Sequence, residues 1–199
     1  MEQIISKQEI DELMKLKGEV KGMGMKTHAE FILKEEGKQG LEKLEETMEK
    51  LGHPIKFKEI RGTTFYPLGL EALVLVAMQR LFNYDDKKFQ EMGRFHSKFS
   101  LIIRLFMKYF ISFDRMVKES PNIWRKYFTG GELTVVEHDE EKKYAIFRVE
   151  DFRFHPLHCQ IMTGILAMVV QMMVKGKAVC EETKCVFRGD EYHEFLLKW

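Results

Sequence analysis

The stretch that decides the fold lies near the end of the chain, where residues 155–199 read HPLHCQIMTGILAMVVQMMVKGKAVCEETKCVFRGDEYHEFLLKW. Pro156 suits the first turn of a helix, because the N–H that proline lacks would have no partner there. The apolar run that follows predicts a helix from about His155 to Lys175, and Gly176 is typical of the residue that ends one. The segment after this helix is therefore expected to pack against one of its faces.

A β-hairpin is predicted to follow the helix. Lys177–Phe187 and Glu191–Trp199 read as strands, and the Arg-Gly-Asp sequence between them reads as a turn. A three-residue turn with Gly189 in the left-handed conformation would place Cys185 directly opposite His193. The stretch therefore predicts a helix packed on a hairpin, with several metal-binding residue types close together.

All three cysteines of the chain lie in this stretch, and a histidine follows them. Three thiols and an imidazole are a full tetrahedral set of zinc ligands. Such a closed set leaves no open position, which makes the metal structural. The candidate metal ligands are Cys159, Cys180, Cys185 and His193.

The ligand set has alternatives that the spacing does not decide. Glu181 or Glu182 lies between two of the cysteines and could replace Cys180, and His158 is a further candidate ligand. Free cysteines are also often small buried hydrophobic residues that bind nothing. A zinc site and inert core cysteines therefore both remain open on spacing alone.

This stretch resembles the C-terminal half of the 4-vinyl reductase-type domain, which binds small molecules. The fold group of that domain includes the effector-sensing domains of aromatic-responsive bacterial activators and the subunits of the eukaryotic transport-particle complex. The shared features are a cysteine that opens a helix, a glycine within it, a glycine after it, two later cysteines, a Gly-Asp turn and a closing hydrophobic strand. In this sequence they are Cys159, Gly164, Gly176, Cys180, Cys185, Gly189, Asp190 and Trp199.

The resemblance implies a zinc site at the four candidate ligands and a homodimer. Two positions depart from the pattern of the sensor domains, where the position of Cys180 is commonly glutamate and that of His193 is commonly cysteine. Both replacements are still zinc ligands. The resemblance therefore implies a structural zinc as the cofactor.

Composition excludes several classes of function. The formal net charge of +1 gives no electrostatic footprint for nucleic acid or for an acidic membrane surface. No apolar run suggests a membrane span, and the first residues lack the hydrophobic region of a signal peptide. Three clustered cysteines without a secretion signal favour the reducing cytoplasm.

The rest of the chain predicts mainly helices, together with a second hairpin. Leu68–Phe82 is apolar almost all round, which favours a central position. Lys87–Lys118 reads as one long Phe-rich helix that ends before Ser120-Pro121, and its Gly93 would allow another helix or a ligand to approach closely. Glu132–His138 and Lys142–Phe152 read as paired strands. The prediction is an α+β fold, in which an antiparallel sheet of four or more strands packs against helices.

A single domain is expected over residues 1–199, with 1–52 as an N-terminal helical layer and 53–199 as a 4-vinyl reductase-like core. The resemblance implies that a small hydrophobic or aromatic molecule lies between helices and sheet. The alternative is that aromatic residues at helical spacing simply form the core. The candidate pocket residues are Phe95, Phe99, Ile103, Phe106, Trp124, Met162, Leu166 and Met173.

The function that fits these features is a cytoplasmic, zinc-stabilised, ligand-sensing domain that signals through a partner protein or a homodimer. A protein-interaction scaffold of the transport-particle type is the alternative. An enzyme that uses the same pocket is the weaker third hypothesis, because no set of catalytic residues stands out.

Overall fold

The computed structural model describes residues 4–99, 112–174 and 176–199, with the backbone alone at residues 96–99. The chain forms two compact units, Met1–Lys88 and Phe89–Trp199. Each unit has its own helices and its own strands, and each is described separately below.

The first unit is mainly helical, and its central element is the apolar helix predicted from the sequence. Helices α1 and α3 both pack against α4, most of whose residues are buried. Ser6 caps α1 by accepting a hydrogen bond from the Glu9 backbone N–H, as the S-x-x-E pattern predicts. The elements of this unit are α1 (Lys7–Met14), β1 (Glu19–Lys21), α2 (Met23–Glu35), α3 (Gly37–Lys50), β2 (Phe65–Pro67) and α4 (Leu68–Phe82).

The second unit contains a four-stranded antiparallel sheet in the order β3-β4-β6-β5, with helices packed on it. The predicted α+β class with an antiparallel sheet of four strands is therefore confirmed. The elements are α5 (Asp86–Phe99), which crosses the boundary between the units, then α6 (Phe113–Tyr127), β3 (Glu132–Asp139), β4 (Tyr144–Glu150), α7 (Pro156–Met173), β5 (Val179–Lys184) and β6 (His193–Lys198).

Alternating burial shows which face of the sheet the helices cover. Along β6, His193, Phe195 and Leu197 are buried, and the residues between them are more exposed. His193 lies opposite Val149 of β4 in the antiparallel register. Since α7 packs on β5 and β6, this register turns the imidazole of His193 toward the start of α7.

Helix α7 begins and ends close to the predicted positions. The imidazole of His155 caps it by accepting a hydrogen bond from the Leu157 N–H, and Pro156 occupies the first turn. Among the described helices, α7 is the one long and apolar enough to cross a membrane by length and composition. More than half of it, 56%, is buried inside the chain, as in the core helix of a soluble protein.

Two glycines let α5 and α7 touch through their backbones. A Cβ atom added to Gly93 would lie 2.1 Å from the carbonyl oxygen of Ile161. A Cβ atom added to Gly164 would lie 2.0 Å from the carbonyl oxygen of Gln90. The predicted close approach at Gly93 is therefore a contact between two helices, and glycine is needed on both sides of it.

The predicted end of the long Phe-rich helix is wrong. Residues 100–111 lie outside the described part of the chain, and a new helix, α6, begins after Ser112, which accepts a hydrogen bond from the Arg115 N–H. Pro121 lies inside α6 and does not end it. A proline has no N–H to bond the carbonyl four residues earlier, and here the Ser120 hydroxyl donates to that oxygen, on Val117.

Candidate functional site

Four side chains with metal-binding groups meet at the N-terminal end of α7. They are Cys159, Glu182, Cys185 and His193, called here the Cys–Glu–Cys–His cluster, and their ligand atoms all lie within 4.8 Å of one another. The two sulfur atoms are 4.0 Å apart, and the Cys159 sulfur is 3.7 Å from Nδ1 of His193. The same Nδ1 is 3.0 Å from Oε1 of Glu182.

The hairpin turn fixes Cys185. Its N–H donates to the Oδ2 atom of Asp190 at 2.8 Å, and its carbonyl oxygen accepts from the N–H groups of Arg188 and Asp190. Gly189 adopts the left-handed conformation, with φ of 97°, as the predicted turn requires. These bonds hold Cys185 beside His193 without help from any bound group.

A backbone carbonyl orients the ring of His193. Nε2 lies 3.1 Å from the carbonyl oxygen of Phe152, which can only accept a hydrogen bond, so Nε2 carries the hydrogen. The other ring nitrogen, Nδ1, faces Cys159 and Glu182. The ring is thus held with Nδ1 toward the centre of the cluster.

Burial and neighbouring charges set the protonation of the cluster. Burial, followed by the negative charge of Glu182, raises the pKa of the Cys159 thiol, and burial also raises the pKa of Cys185. Burial acts to raise the pKa of Glu182, but hydrogen bonds from His193 and the two thiols outweigh it and lower that pKa. In the protein alone, therefore, the thiols keep their protons and Glu182 is the anion of the cluster.

The structure brings together three of the four predicted ligands, and Glu182 takes the fourth place. Cys180 pairs with Leu197 of β6, four residues along the strand from His193, or roughly 13 Å at 3.3 Å per residue. Cys180 and Glu182 lie on the same face of β5, so alternation alone could not choose between them. Burial raises the pKa of the Cys180 thiol to about 12.

His158 does not belong to the cluster. Its ring is enclosed by those of Phe128, Phe152 and Phe154, with ring centres 4.7 to 5.8 Å away. His158 therefore packs among aromatic rings, and the structure does not place it as the alternative ligand.

A cavity of about 10 Å³ lies beside the cluster. Trp124 and Met162 of the predicted pocket line it. Leu166 is buried, Phe95 and Met173 are half-buried, and the side chains of Phe99, Ile103 and Phe106 lie outside the described residues. A cavity of this size holds about one water molecule, whereas pockets for ligands of drug size measure roughly 300–1,000 Å³. This cavity cannot accept an aromatic ligand.

Asp190→Ala is expected to loosen the turn that carries Cys185. In this variant the Cys185 N–H loses its acceptor. Leaving a buried donor unpaired typically lowers the free energy of unfolding by about 1–3 kcal/mol. Urea unfolding followed by circular dichroism measures this loss. Asp139→Ala, in the exposed turn between β3 and β4, removes a similar carboxylate bond to the Lys142 N–H and is the matched control. Equal effects of the two changes would contradict the role given to Asp190.

No protein-family model and no curated protein sequence matches the chain. Solved structures do match it over nearly its whole length. An H-NOX protein from S. oneidensis, described in the Fe(II)NO ligation state, is 13% identical with a TM-score of 0.67, and the match covers 89% of this chain and 98% of that one. An unliganded Fe(II) H-NOX protein from K. algicida is 12% identical with a TM-score of 0.62, covering 89% and 95%. A third structure, described in terms of haem redox potential and porphyrin distortion, is 12% identical with a TM-score of 0.60, covering 90% and 99%.

These matches correct two predictions. The resemblance to the 4-vinyl reductase-type domain is wrong, because the elements of both units follow the H-NOX arrangement from end to end. The prediction of a structural zinc is also wrong, because the proteins with this fold are described by their iron or haem. The physical basis of that prediction fails as well, since Cys180 stays away from the other ligands and the hairpin is closed by its own hydrogen bonds. The fold of this chain is the H-NOX fold.

Proposed function

We propose that this chain is a sensor-type domain that binds a small molecule and signals to a partner protein when the molecule is bound. The observation that carries this proposal is the whole-length match to H-NOX structures, which extends over 89% of the chain and 95–98% of the two named H-NOX proteins. A fold alone does not fix a ligand, because function depends on the residues of the site. The residues of this chain therefore have to be tested against the ligand of the neighbours.

The described residues do not fit haem. A haem iron commonly needs a histidine nitrogen beside a space that admits the macrocycle. His155, His158 and His193 line the cavity of about 10 Å³, which is far too small. His28 is buried against Glu71, and His138 is bonded to Asp114 near the surface.

Two histidines remain. His53 lies in a half-exposed loop, and the side chain of His96 lies outside the described residues. The small cavity at His155, His158 and His193 supports a small molecule other than haem at these described residues. We propose such a ligand, in a cytoplasmic protein that acts through a partner, and the homodimer expected from the sequence stays a prediction.

Native mass spectrometry and a haem titration test this function together. We expect the gently purified chain to carry a non-covalent small molecule, and we expect added haem to give no stoichiometric Soret band. His96→Ala, compared with His53→Ala, identifies the ligand of any haem that does bind. A saturable haem band lost only in His96→Ala would overturn the ligand class and keep the sensor function. If no small molecule is retained, and neither haem nor a metabolite extract raises the melting temperature, the sensor function is wrong.

A further inference from the structure

His28 and Glu71 form an ionisable pair in the interior of the first unit, called here the His28–Glu71 pair. His28 lies in the middle of α2, and Glu71 lies in the first turn of α4, 43 residues further along the chain. Nε2 of the imidazole is 3.0 Å from Oε1 of the carboxyl group, and the two residues are 1% and 3% exposed. A polar bond in the core therefore joins α2 to α4.

The hydrogen bonds of the pair favour a protonated carboxyl group. A bond at 3.0 Å needs one hydrogen, which either Nε2 or Glu71 carries. Oε2 of Glu71 is buried without a hydrogen bond in the described structure. A carboxylate would leave a charged oxygen there without a donor, whereas a carboxyl group can donate from Oε1 to Nε2 and stay neutral. The bond between the helices thus depends on one proton.

The neighbours of the pair are apolar. On the same two helices, the residues one turn away are buried, and they are Met25, Phe31, Ile32, Leu68, Val74 and Leu75. The elements that pack on α2 and α4 add further buried apolar side chains, which are Ile10 of α1, Val20 of β1, Leu44 and Met48 of α3, and Phe57 of the short 3₁₀ turn 57–59. Neither group of the pair can therefore be ionised without a charge in an apolar environment.

The charged and titratable side chains of the packed elements lie nearer the surface and bond one another. They include Glu9 with Arg80, Glu45 with Lys56, Glu35 with Lys34 and Lys88, Lys21 over the ring of Phe65, Tyr66 with the Arg61 backbone, and the exposed Lys58 and Glu59. Among the described residues of the first unit, His28 and Glu71 are the only acidic or basic residues that are buried. Burial is accordingly what lowers the pKa of His28 to about 3 and raises that of Glu71 to about 8.

We propose that the His28–Glu71 pair is a pH-dependent switch that controls a local opening of α2 away from α4. While Glu71 keeps its proton, the neutral bond holds the two helices together. In mildly alkaline solution the proton leaves to solvent and one negative charge remains on Glu71. The carboxylate is then better solvated in an opened form, in which α2 separates from α4 and water reaches the pair. This switch does not depend on the small-molecule function proposed above.

Amide hydrogen exchange of the full chain at a series of pH values tests the switch. The opened form regains the ordinary pKa of both groups, so the protection of the α2 amides, corrected for the chemical exchange rate, should stay level between pH 4.5 and 6.5. From pH 6.5 to about 8 it should fall about tenfold per pH unit, or roughly thirtyfold in all. Low concentrations of urea should hardly change this exchange, because a local opening exposes little surface.

Glu71→Gln keeps the shape of the side chain and cannot ionise, so the protection of α2 should stay level up to pH 8. Glu30→Gln, an exposed position on the same helix, is the matched control and should keep the fall. Infrared difference spectra of the parent give a second measurement that needs no variant. They should show the stretching band of a protonated carboxyl group at neutral pH, and this band should disappear above about pH 8.

Four results would overturn the switch. The first is a level protection of the α2 amides in the parent up to pH 8, and the second is a fall that persists in Glu71→Gln. The third is the absence of the carboxyl band from the parent at neutral pH. The fourth is an α2 exchange that depends on urea as steeply as that of the best-protected α4 amides, since this would show global unfolding. Retention of a small molecule is measured separately by mass, so the two proposals fail independently.

Discussion

Gly164→Ala is expected to destabilise the second unit severely. The added methyl group would lie 2.0 Å from the Gln90 carbonyl oxygen and 3.0 Å from the Arg94 backbone nitrogen. Both atoms belong to the backbone of α5, so no side chain can turn aside and the helices must separate. Overpacking of this kind costs about 1–3 kcal/mol or more, and separating the helices also loses buried contacts. We expect a loss of roughly 3 kcal/mol in urea unfolding, although alanine favours helix by about 1 kcal/mol over glycine.

Gly130→Ala is the control for this change. A Cβ atom at Gly130 meets no other atom within 4 Å, and its φ angle is not in the left-handed region. Its effect should stay within about 0.5 kcal/mol, as for ordinary surface changes. Gly93→Ala should repeat the effect of Gly164→Ala from the other side of the crossing. A Gly164→Ala protein that unfolds at the same urea concentration as Gly130→Ala would disprove the backbone contact.

The stability of the first unit is expected to peak in mildly acidic solution. His28 and Glu71 are both buried, with Nε2 of the histidine 3.0 Å from Oε1 of the glutamate. Burial lowers the pKa of His28 to about 3 and raises the pKa of Glu71 to about 8. Oε2 of Glu71 is buried without a hydrogen bond in the described structure, which also favours the neutral acid. The folded pair is thus uncharged at neutral pH.

The sign of the pH dependence follows from the protons bound in each state. Between the folded His28 pKa of about 3 and the ordinary Glu value of 4.5, the unfolded chain binds the extra proton, so stability rises with pH. Between pH 4.5 and the ordinary His pKa of 6.5, the folded and unfolded chains bind equal numbers of protons at these two residues. Stability therefore does not change with pH in this range. From there to about 8 the folded Glu71 keeps a proton that the unfolded chain has lost, so the free energy of unfolding falls. The fall should amount to about 1–2 kcal/mol.

Urea unfolding at a series of pH values measures this profile. Glu71→Gln keeps the shape of the side chain and removes the ionisable group, so the decline above pH 6.5 should disappear. Glu36→Gln, whose residue lies at the end of α2, is a control that should keep the decline. If the decline persists in Glu71→Gln, another group causes it and the neutral carboxyl is not at this position.

Much of the local structure could be predicted because it depends on neighbouring residues. Pro156 and Gly176 marked α7, and Gly189 marked the hairpin turn. The same local signals brought Cys185 and His193 together. Each of these features needs only the spacing of residues along the chain.

The features that were predicted wrongly depend on contacts between distant parts of the chain, which the spacing of residues does not reveal. Whether Cys180 or Glu182 faces His193 depends on the register of β5 against β6 and on the irregularity after Glu182. The helix end was misplaced because Pro121 normally ends a helix, whereas here Ser120 satisfies the carbonyl that the proline leaves without a partner. The family was misjudged because a cysteine-bearing helix on a hairpin is a local motif, whereas the H-NOX fold is defined by all the elements of both units.

The sheet order has a consequence for folding during synthesis. β6 is the last of the four strands of this sheet along the chain, yet it lies between β4 and β5. In the described sheet β5 pairs with β6 alone, so β5 has no strand partner in the nascent chain until His193–Lys198 has also left the ribosome. At a synthesis rate of about 5–20 residues per second the delay is short. During this delay, however, the edge of β4 that will pair with β6 is exposed. Nascent chains stalled before residue 193 should therefore be captured by chaperones far more often than chains stalled after residue 198 has left the ribosome.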